Sequence, residues 1–365
     1  MLKKYKYQVL GFVLSVMVFA TASSYAGQLN SLIMPNASAI VKININTITS
    51  TKIYKKLDAL LNQNSQNSDE INDVNAFKAI LKKYGLNEKD VKEVLIALDA
   101  ENVNIDDPSD INSKSAQVVV GMELSKDITF DDLKNIINES ITISKNQKHI
   151  KDKVELDNLK TEVIDHNGSK VLVLSEKNSK DNKIGFAIYN KNIVVAGIDH
   201  SVKSALDRLK SNKMTALSPK LTQLQSDISP DAQSYLIAVM PENIRKTIDK
   251  SKSDNAVDNS QKGPNVNAVK DISALSIQVN FSKDIKAKLI TYFLNQKSAE
   301  DVQKLLNQFL PLAKFQAMML TQGNPLPCVN SFQHKLVDNK PEIEITFEVN
   351  EQDINTINKL SEQKN

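Results

Sequence analysis

Two alternating segments, a long amphipathic stretch and two more alternating segments follow one another between residues 272 and 349, and this succession restricts the chain more than any other feature. Leu275, Ile277, Val279 and Phe281 alternate with Ala274, Ser276, Gln278 and Asn280. After a turn at Ser282-Lys283-Asp284, Ile285, Ala287 and Leu289 alternate with Lys286 and Lys288. A period of two places successive side chains on opposite faces, so each segment predicts a strand with one dry face and one wet face. Ser298 and Asp301 predict a helix start, with Val302, Leu305, Leu306, Phe309 and Ala313 on the dry side. Pro311 lacks an N–H and clashes with the carbonyl one turn back, so it is expected to kink or split this helix. Gly323, Pro325 and Pro327 close the helical region. The last hairpin pairs 332–337 with 342–349, placing Ile343, Ile345, Phe347 and Val349 opposite Glu342, Glu344, Thr346 and Glu348.

A shorter-sided version of the same order runs through residues 94–174. A strand at 39–45 leads to a helix carrying Ile53, Leu57, Leu60 and Leu61. A polar loop at 62–73 precedes a second helix that Gly85 stops. Strands follow at 94–98 and 118–124, then a capping box at Thr129 and Asp132. Asn167-Gly168 joins 162–166 to 170–174 as a hairpin, Asn190-Lys191-Asn192 joins 184–189 to 193–198, and a helix occupies 201–209. The pattern weakens from 210 to 229. It then restarts as it began, with Pro230-Asp231-Ala232-Gln233-Ser234 matching Pro35-Asn36-Ala37-Ser38-Ala39. The reading is an α+β fold: two related units of mostly antiparallel sheet with helices packed on one face, at 27–215 and 216–365, and a disordered loop near 251–270.

Lys3, Lys4 and Lys6 precede an apolar run at 9–20, and Ser24-Tyr25-Ala26 offers small residues around a cleavage point. This predicts a signal peptide over 1–26, cleaved near Ala26, and export to the periplasm or beyond the cell. An uncleaved anchor is the alternative, although the run is shorter than the about 20 residues that span a bilayer. The whole chain carries 46 basic and 43 acidic residues, and the leader holds three lysines and no acid, so the remainder balances. With Arg208 and Arg245 as the only arginines, neither nucleic acid nor strong anionic-membrane binding is expected. The lone Cys328 excludes an internal disulfide; it reads as a buried or half-buried thiol beside a strand, or more sharply as one that pairs between chains.

No catalytic, cofactor-binding or metal-binding residue stands out, and no cofactor is implied. His149, His166, His200 and His334 are scattered, and none falls in a zinc motif. His200, after Asp199, reads as an exposed residue that helps cap the start of the following helix. Asp99, Glu101, Asp106, Asp107 and Asp110 crowd one loop but lack the central glycine and terminal glutamate of an EF-hand. With nine glycines in the chain, phosphate-cradling loops are scarce, and none of the nucleotide or nucleophile-elbow motifs occurs. The N-x-[ST] triplets at Asn36, Asn138, Asn167 and Asn280 would matter in a eukaryotic secretory protein, but the lysine-rich, arginine-poor composition has a bacterial character.

The Pro-Asn/Asp-Ala opening before an apolar strand, and the run 287–306 in which a strand leads into Ser298-Ala299-Glu300-Asp301, resemble features of exported bacterial proteins of unassigned function with duplicated α+β units. That resemblance carries no catalytic residues to transfer. The expectation is a non-enzymatic envelope or periplasmic protein that binds an envelope protein or component through an exposed sheet face or an inter-unit cleft. One alternative is a carboxylate-based hydrolase or carbohydrate-active enzyme using Asp99, Glu101 or the glutamates of the last hairpin. Another is a small-ligand or lipid carrier, hinted at by Met318, Met319 and Leu320 beyond Pro311, where an ordinary core or an aggregation-guarded surface is the simpler reading.

Overall fold

Runs such as Val94-Leu95-Ile96-Ala97-Leu98 and Val118-Val119-Val120 are apolar at every position, and such strands need cover on both faces. A computed structural model of the chain describes residues 28–64, 69–101, 117–146, 158–176, 183–212, 216–250, 270–320 and 327–362. The predicted leader, Asp106, Asp107, Asp110, His149, and the predicted loop at 251–270 apart from Lys270 lie outside the described residues. The fold mixes helix with antiparallel sheet and divides into two compact units, Met1–Thr49 with Ser65–Leu217 and Ser50–Asn64 with Ser218–Asn365.

In the first unit β1 (Ala39–Asn44) passes directly into α1 (Ile45–Ser50); α2 (Lys52–Asn64) belongs to the second unit, and α3 (Asp69–Lys83) returns to the first. There follow β2 (Val91–Asp99), β3 (Gln117–Leu124), α4 (Phe130–Asn146), β4 (Leu159–His166), β5 (Ser169–Glu176), β6 (Lys183–Tyr189), β7 (Ile193–Ile198) and α5 (Asp199–Ser211). All neighbours in the order β1-β2-β3-β7-β6-β5-β4 are antiparallel. Local chemistry sets the boundaries. Gly85, at φ 71°, ends α3 with bonds from Gly85 N to Lys82 O and Leu86 N to Leu81 O. Thr129 and Asp132 exchange backbone-to-side-chain bonds of 3.1 Å at the start of α4, the reciprocal cap expected from sequence.

Register shows which residues share a face. Val94, Val120, Ala196, Phe186 and Leu172 lie on one side and join Ile80 of α3 and Leu133 and Ile136 of α4 in one buried cluster. Leu95, Gly121, Val195, Ala187 and Val171 form a cross-strand row on the other side. That side is covered by α5 and by a 3-10 turn at Leu29–Leu32. A Cβ added to Gly121 would come within 2.0 Å of Leu32 Cδ1, so this glycine is what admits the turn. Arg208 of α5 holds the turn in place, donating to Ser31 O at 3.1 Å and Leu32 O at 2.8 Å. Helices packed on one face, as the sequence suggested, is therefore wrong for this sheet: both faces are apolar, and both are covered.

The second unit contains α6 (Pro219–Ser226), β8 (Ser234–Val239), α7 (Glu242–Lys250), β9 (Ile272–Phe281), β10 (Ile285–Phe293), α8 (Gln296–Leu320), α9 (Pro327–Ser331), β11 (Gln333–Leu336), β12 (Glu342–Val349) and α10 (Glu351–Glu362). Its antiparallel order is β11-β12-β10-β9-β8. α2 lies against α10, where Lys52 and Lys56 both pair with Glu351. On the face of Ile343 and Ile345, α8 packs Ala299, Val302 and Leu306 against Phe293 and Leu336. On the opposite face sits α6, a helix the sequence reading left as an irregular junction. Ser218 caps it by accepting the Leu221 N–H, and Pro219 occupies its first turn.

This second helix changes which side of β9 is driest. Ser276 and Gln278, expected on the wet face, are 0% and 5% exposed, whereas Leu275, Ile277 and Val279 are half-buried. Gln278 is accommodated by two bonds: its Nε2 donates to Asp227 O at 3.0 Å and its Oε1 accepts from Ser229 N at 2.9 Å. Three shorter corrections concern boundaries. Ile45 opens a helix instead of closing β1, the expected loop at 62–73 is helical to Asn64 and again from Asp69, and of the kink or split expected at Pro311 the split is absent, since α8 runs through it.

The two units share a path. In each, the first three strands are neighbours, a helix follows the first and the third, and the last strand returns to lie beside the third before a closing helix. Their openings also share a clasp. Ser38 N donates to Leu98 O while Ser38 Oγ accepts from Ala100 N; Gln233 N donates to Val279 O while Gln233 Oε1 accepts from Phe281 N. In both cases the side chain reaches the amide two residues beyond the carbonyl that its own N–H engages.

Candidate interaction surface

The charged face of the last hairpin, predicted to be wet, is only partly covered in the structure. Register puts Lys286 and Lys288 of β10, Glu344, Thr346 and Glu348 of β12, and Gln333 and Lys335 of β11 on the α6 side of the sheet. α6 and the loop after it reach β8, β9 and Tyr292, whose ring lies 4.3 Å from Lys220 Nζ. Beyond that cover lies an open groove of about 390 Å³. Gln278, Asn280, Lys286, Lys288, Thr346 and Glu348 contribute to its lining, and Ser229, Ala232 and Ser331 to its ends.

The charges here are neutralised in pairs. Glu344 receives Lys288 at 2.9 Å and Lys335 at 3.1 Å, and Lys286 stands 3.6 Å from Glu348. Burial pushes the Glu344 carboxyl upward, but the hydrogen bonds from Lys288 and Lys335 outweigh it and hold the group below the ordinary carboxylate range. Glu344 is thus ionised at neutral pH and unsuited to donate a proton, and Glu348 is the one carboxylate among the groove residues. Paired charges, amides and hydroxyls over a lining that is mostly carbon can hold a surface by contact and by hydrogen bonds.

The other residues singled out from sequence do not converge on this groove. Asp99 is buried in the first unit and accepts the Glu101 N–H at 3.0 Å, a local turn. Glu342 lies beside Tyr292 in the register. His200 is exposed in the first turn of α5, where the capping position is Ile198 and no side chain caps. His166 meets Asp207 at 3.0 Å, and Asn167 donates to the same carboxylate at 2.9 Å, tying the β4–β5 turn to α5. Those contacts, led by the Asn167 bond, hold the Asp207 carboxyl low. His334 Nδ1 accepts from Gln303 at 2.9 Å. Among the described residues, no group of three His, Cys, Asp or Glu side chains is placed to hold a metal ion.

Cys328 is half-buried at the start of α9. Burial, followed by the neighbouring Asp353 carboxylate, pushes its thiol up to about 11. The thiolate that disulfide exchange requires is therefore scarce at neutral pH, which slows exchange at this thiol.

Nothing in the sequence marks Lys286, Lys288 and Gln278 as groove residues, since the loop after α6 and the end of α9, far apart along the chain, turn their face into a walled depression. The sequence places Phe309 on the dry side of this helix and Met319 in an ordinary core or on a guarded surface; Phe309, Leu312, Phe315 and Met319 are 49%, 59%, 56% and 64% exposed. No helix among the described residues is long and apolar enough to cross a membrane. Compared with family models, curated proteins and solved structures, the chain gives no match.

Proposed function

We propose that this is an exported bacterial envelope protein, periplasmic or extracellular, that binds an envelope protein or component without catalysis, through the open charged face of the β10-β12-β11 sheet. The observation that carries this reading is the groove itself: a walled depression, its lining more carbon than polar, on a sheet face whose glutamates are matched by lysines and whose neighbouring strands are covered. Export is supported by the basic, apolar and small-residue succession over 1–26. The shared strand path and the Ser38 and Gln233 clasps support descent of the two units from one ancestor, with the second keeping an open face as the first gained a further hairpin.

A photoreactive residue at Thr346, in the groove, and another at Lys160, on β4, test the binding role in intact cells. The proposal expects a discrete adduct from Thr346 only, lost in the Lys286→Glu/Lys288→Glu variant. No adduct from Thr346, or one indifferent to the charge reversal, would overturn it.

A further inference from the structure

We propose that the outer stripe of α8 pairs with the same stripe of a second copy of this chain, the two helices running antiparallel about a two-fold axis near Ala313 and Lys314. At about 100° per residue, Phe309, Leu312, Phe315 and Met319 fall within one third of the helix circumference, a stripe running over three turns. Leu312, Phe315 and Met319 turn away from Ala299, Val302 and Leu306, which pack on the sheet, while Phe309 continues the line of Val302 past the part of the helix that the sheet covers, so the C-terminal half of α8 is apolar on more sides than its own unit covers.

Area and charge both favour a second copy as the occupant. The four side chains are each about half exposed, which leaves roughly 400 Å² of apolar surface per copy. Two stripes facing each other remove roughly 800 Å², and Gln308 and Gln316, which fall within the same third of the circumference, bring the contact toward the about 1,200 Å² of a stable interface. The stripe is also self-complementary. Antiparallel pairing sets Phe309 beside the partner's Met319 and Leu312 beside the partner's Phe315, large against flexible and branched against aromatic. From Val302 to Leu320 the only charges are Lys304 and Lys314. Lys314 points well away from the stripe, so the pairing buries no charge and sets no like charges face to face.

Sedimentation velocity on the full chain, expressed with its own N-terminus in a bacterial host, over a wide concentration range tests this. The expected result is a concentration-dependent dimer whose dissociation constant rises about 30-fold or more in Phe315→Glu, with unchanged circular dichroism. A chain that stays monomeric throughout, or a dimer that Phe315→Glu leaves intact, overturns the proposal. So does a monomer that instead associates with anionic phospholipid vesicles through this stripe. Should Phe315→Glu fail to fold, cysteines in a Cys328→Ser background decide the matter. A short thiol-specific bifunctional reagent links Leu312→Cys chains near the axis and leaves Lys304→Cys chains unlinked if the pairing is right; the reverse pattern, or equal linking, overturns it.

Discussion

Lys42 and Glu93 meet at 3.2 Å with side chains 14% and 2% exposed, whereas Lys288 and Glu344 meet at 2.9 Å with side chains 41% and 18% exposed. Both pairs bridge strands of an antiparallel sheet, and their surroundings give opposite electrostatics. Burial pushes the Glu93 carboxyl above its ordinary value despite Lys42, while the Glu344 carboxyl is held below it by two lysines. The first sheet is closed on both faces, so a charge within it is a liability that only its partner tolerates. The second is covered on one side of its charged face and open on the other, so charges there cost little and remain available to a binding partner.

The sharpest way to break this contrast is to delete one lysine from each pair. Lys42→Met strands a buried carboxylate and should cost about 3 kcal/mol or more in urea unfolding, whereas Lys42→Met/Glu93→Leu should recover most of that loss. Lys288→Ala leaves Glu344 with Lys335 and water, and should cost less than about 1 kcal/mol. Equal losses from the two single variants would mean the two faces are equally closed.

A steric version of the comparison is somewhat smaller. Gly121→Val drives a side chain into Leu32 and should destabilise by about 2 to 3 kcal/mol, either displacing the Leu29–Leu32 turn or straining the sheet beneath it. Thr346→Val, on the open face of β12, should fall within about 0.5 kcal/mol of the parent, as surface changes usually do.

The pH dependence carries the smallest effect and separates the carboxylates by sign. The folded-state pKa of Glu344 is lowered, so its contribution is present above the unfolded carboxylate value and is lost as pH falls through the folded value. The folded-state pKa of Glu93 is raised, so its contribution is present below the unfolded value and is lost as pH rises through the folded one. Unfolding free energies measured across mildly acid pH should therefore lose part of their acid-side decline in Glu344→Gln and part of their alkaline-side decline in Lys42→Met/Glu93→Leu.

Alternation in the sequence located nearly every strand, and the Thr129-Asp132 box, Gly85 and Asn167-Gly168 fixed element ends, because each depends on backbone geometry that a few neighbouring residues determine. What alternation could not show is which elements arrive from far along the chain. Uninterrupted apolar runs in β2, β3 and β7 already implied double cover, and weighing them against the amphipathic strands of the second unit would have predicted helices on both faces. Gln278 misled for a different reason. A buried glutamine is tolerated once both ends of its amide find backbone partners, and those partners, Asp227 and Ser229, lie in the segment after α6. The groove was illegible for the same reason, since its walls come from segments about 100 residues apart and its floor from strands that alternation described correctly.

Native-state hydrogen exchange, compared between the amides of β7 and those of β12, bears most directly on the claim that one sheet is sealed and the other open on a face. The account predicts that β7 exchanges only through global unfolding, whereas β12 exchanges through a local opening of lower free energy that leaves β7 protected. If β7 and β12 share one opening free energy, or β12 outlasts β7, the open face is not the freer surface described and the binding role drawn from it loses its basis.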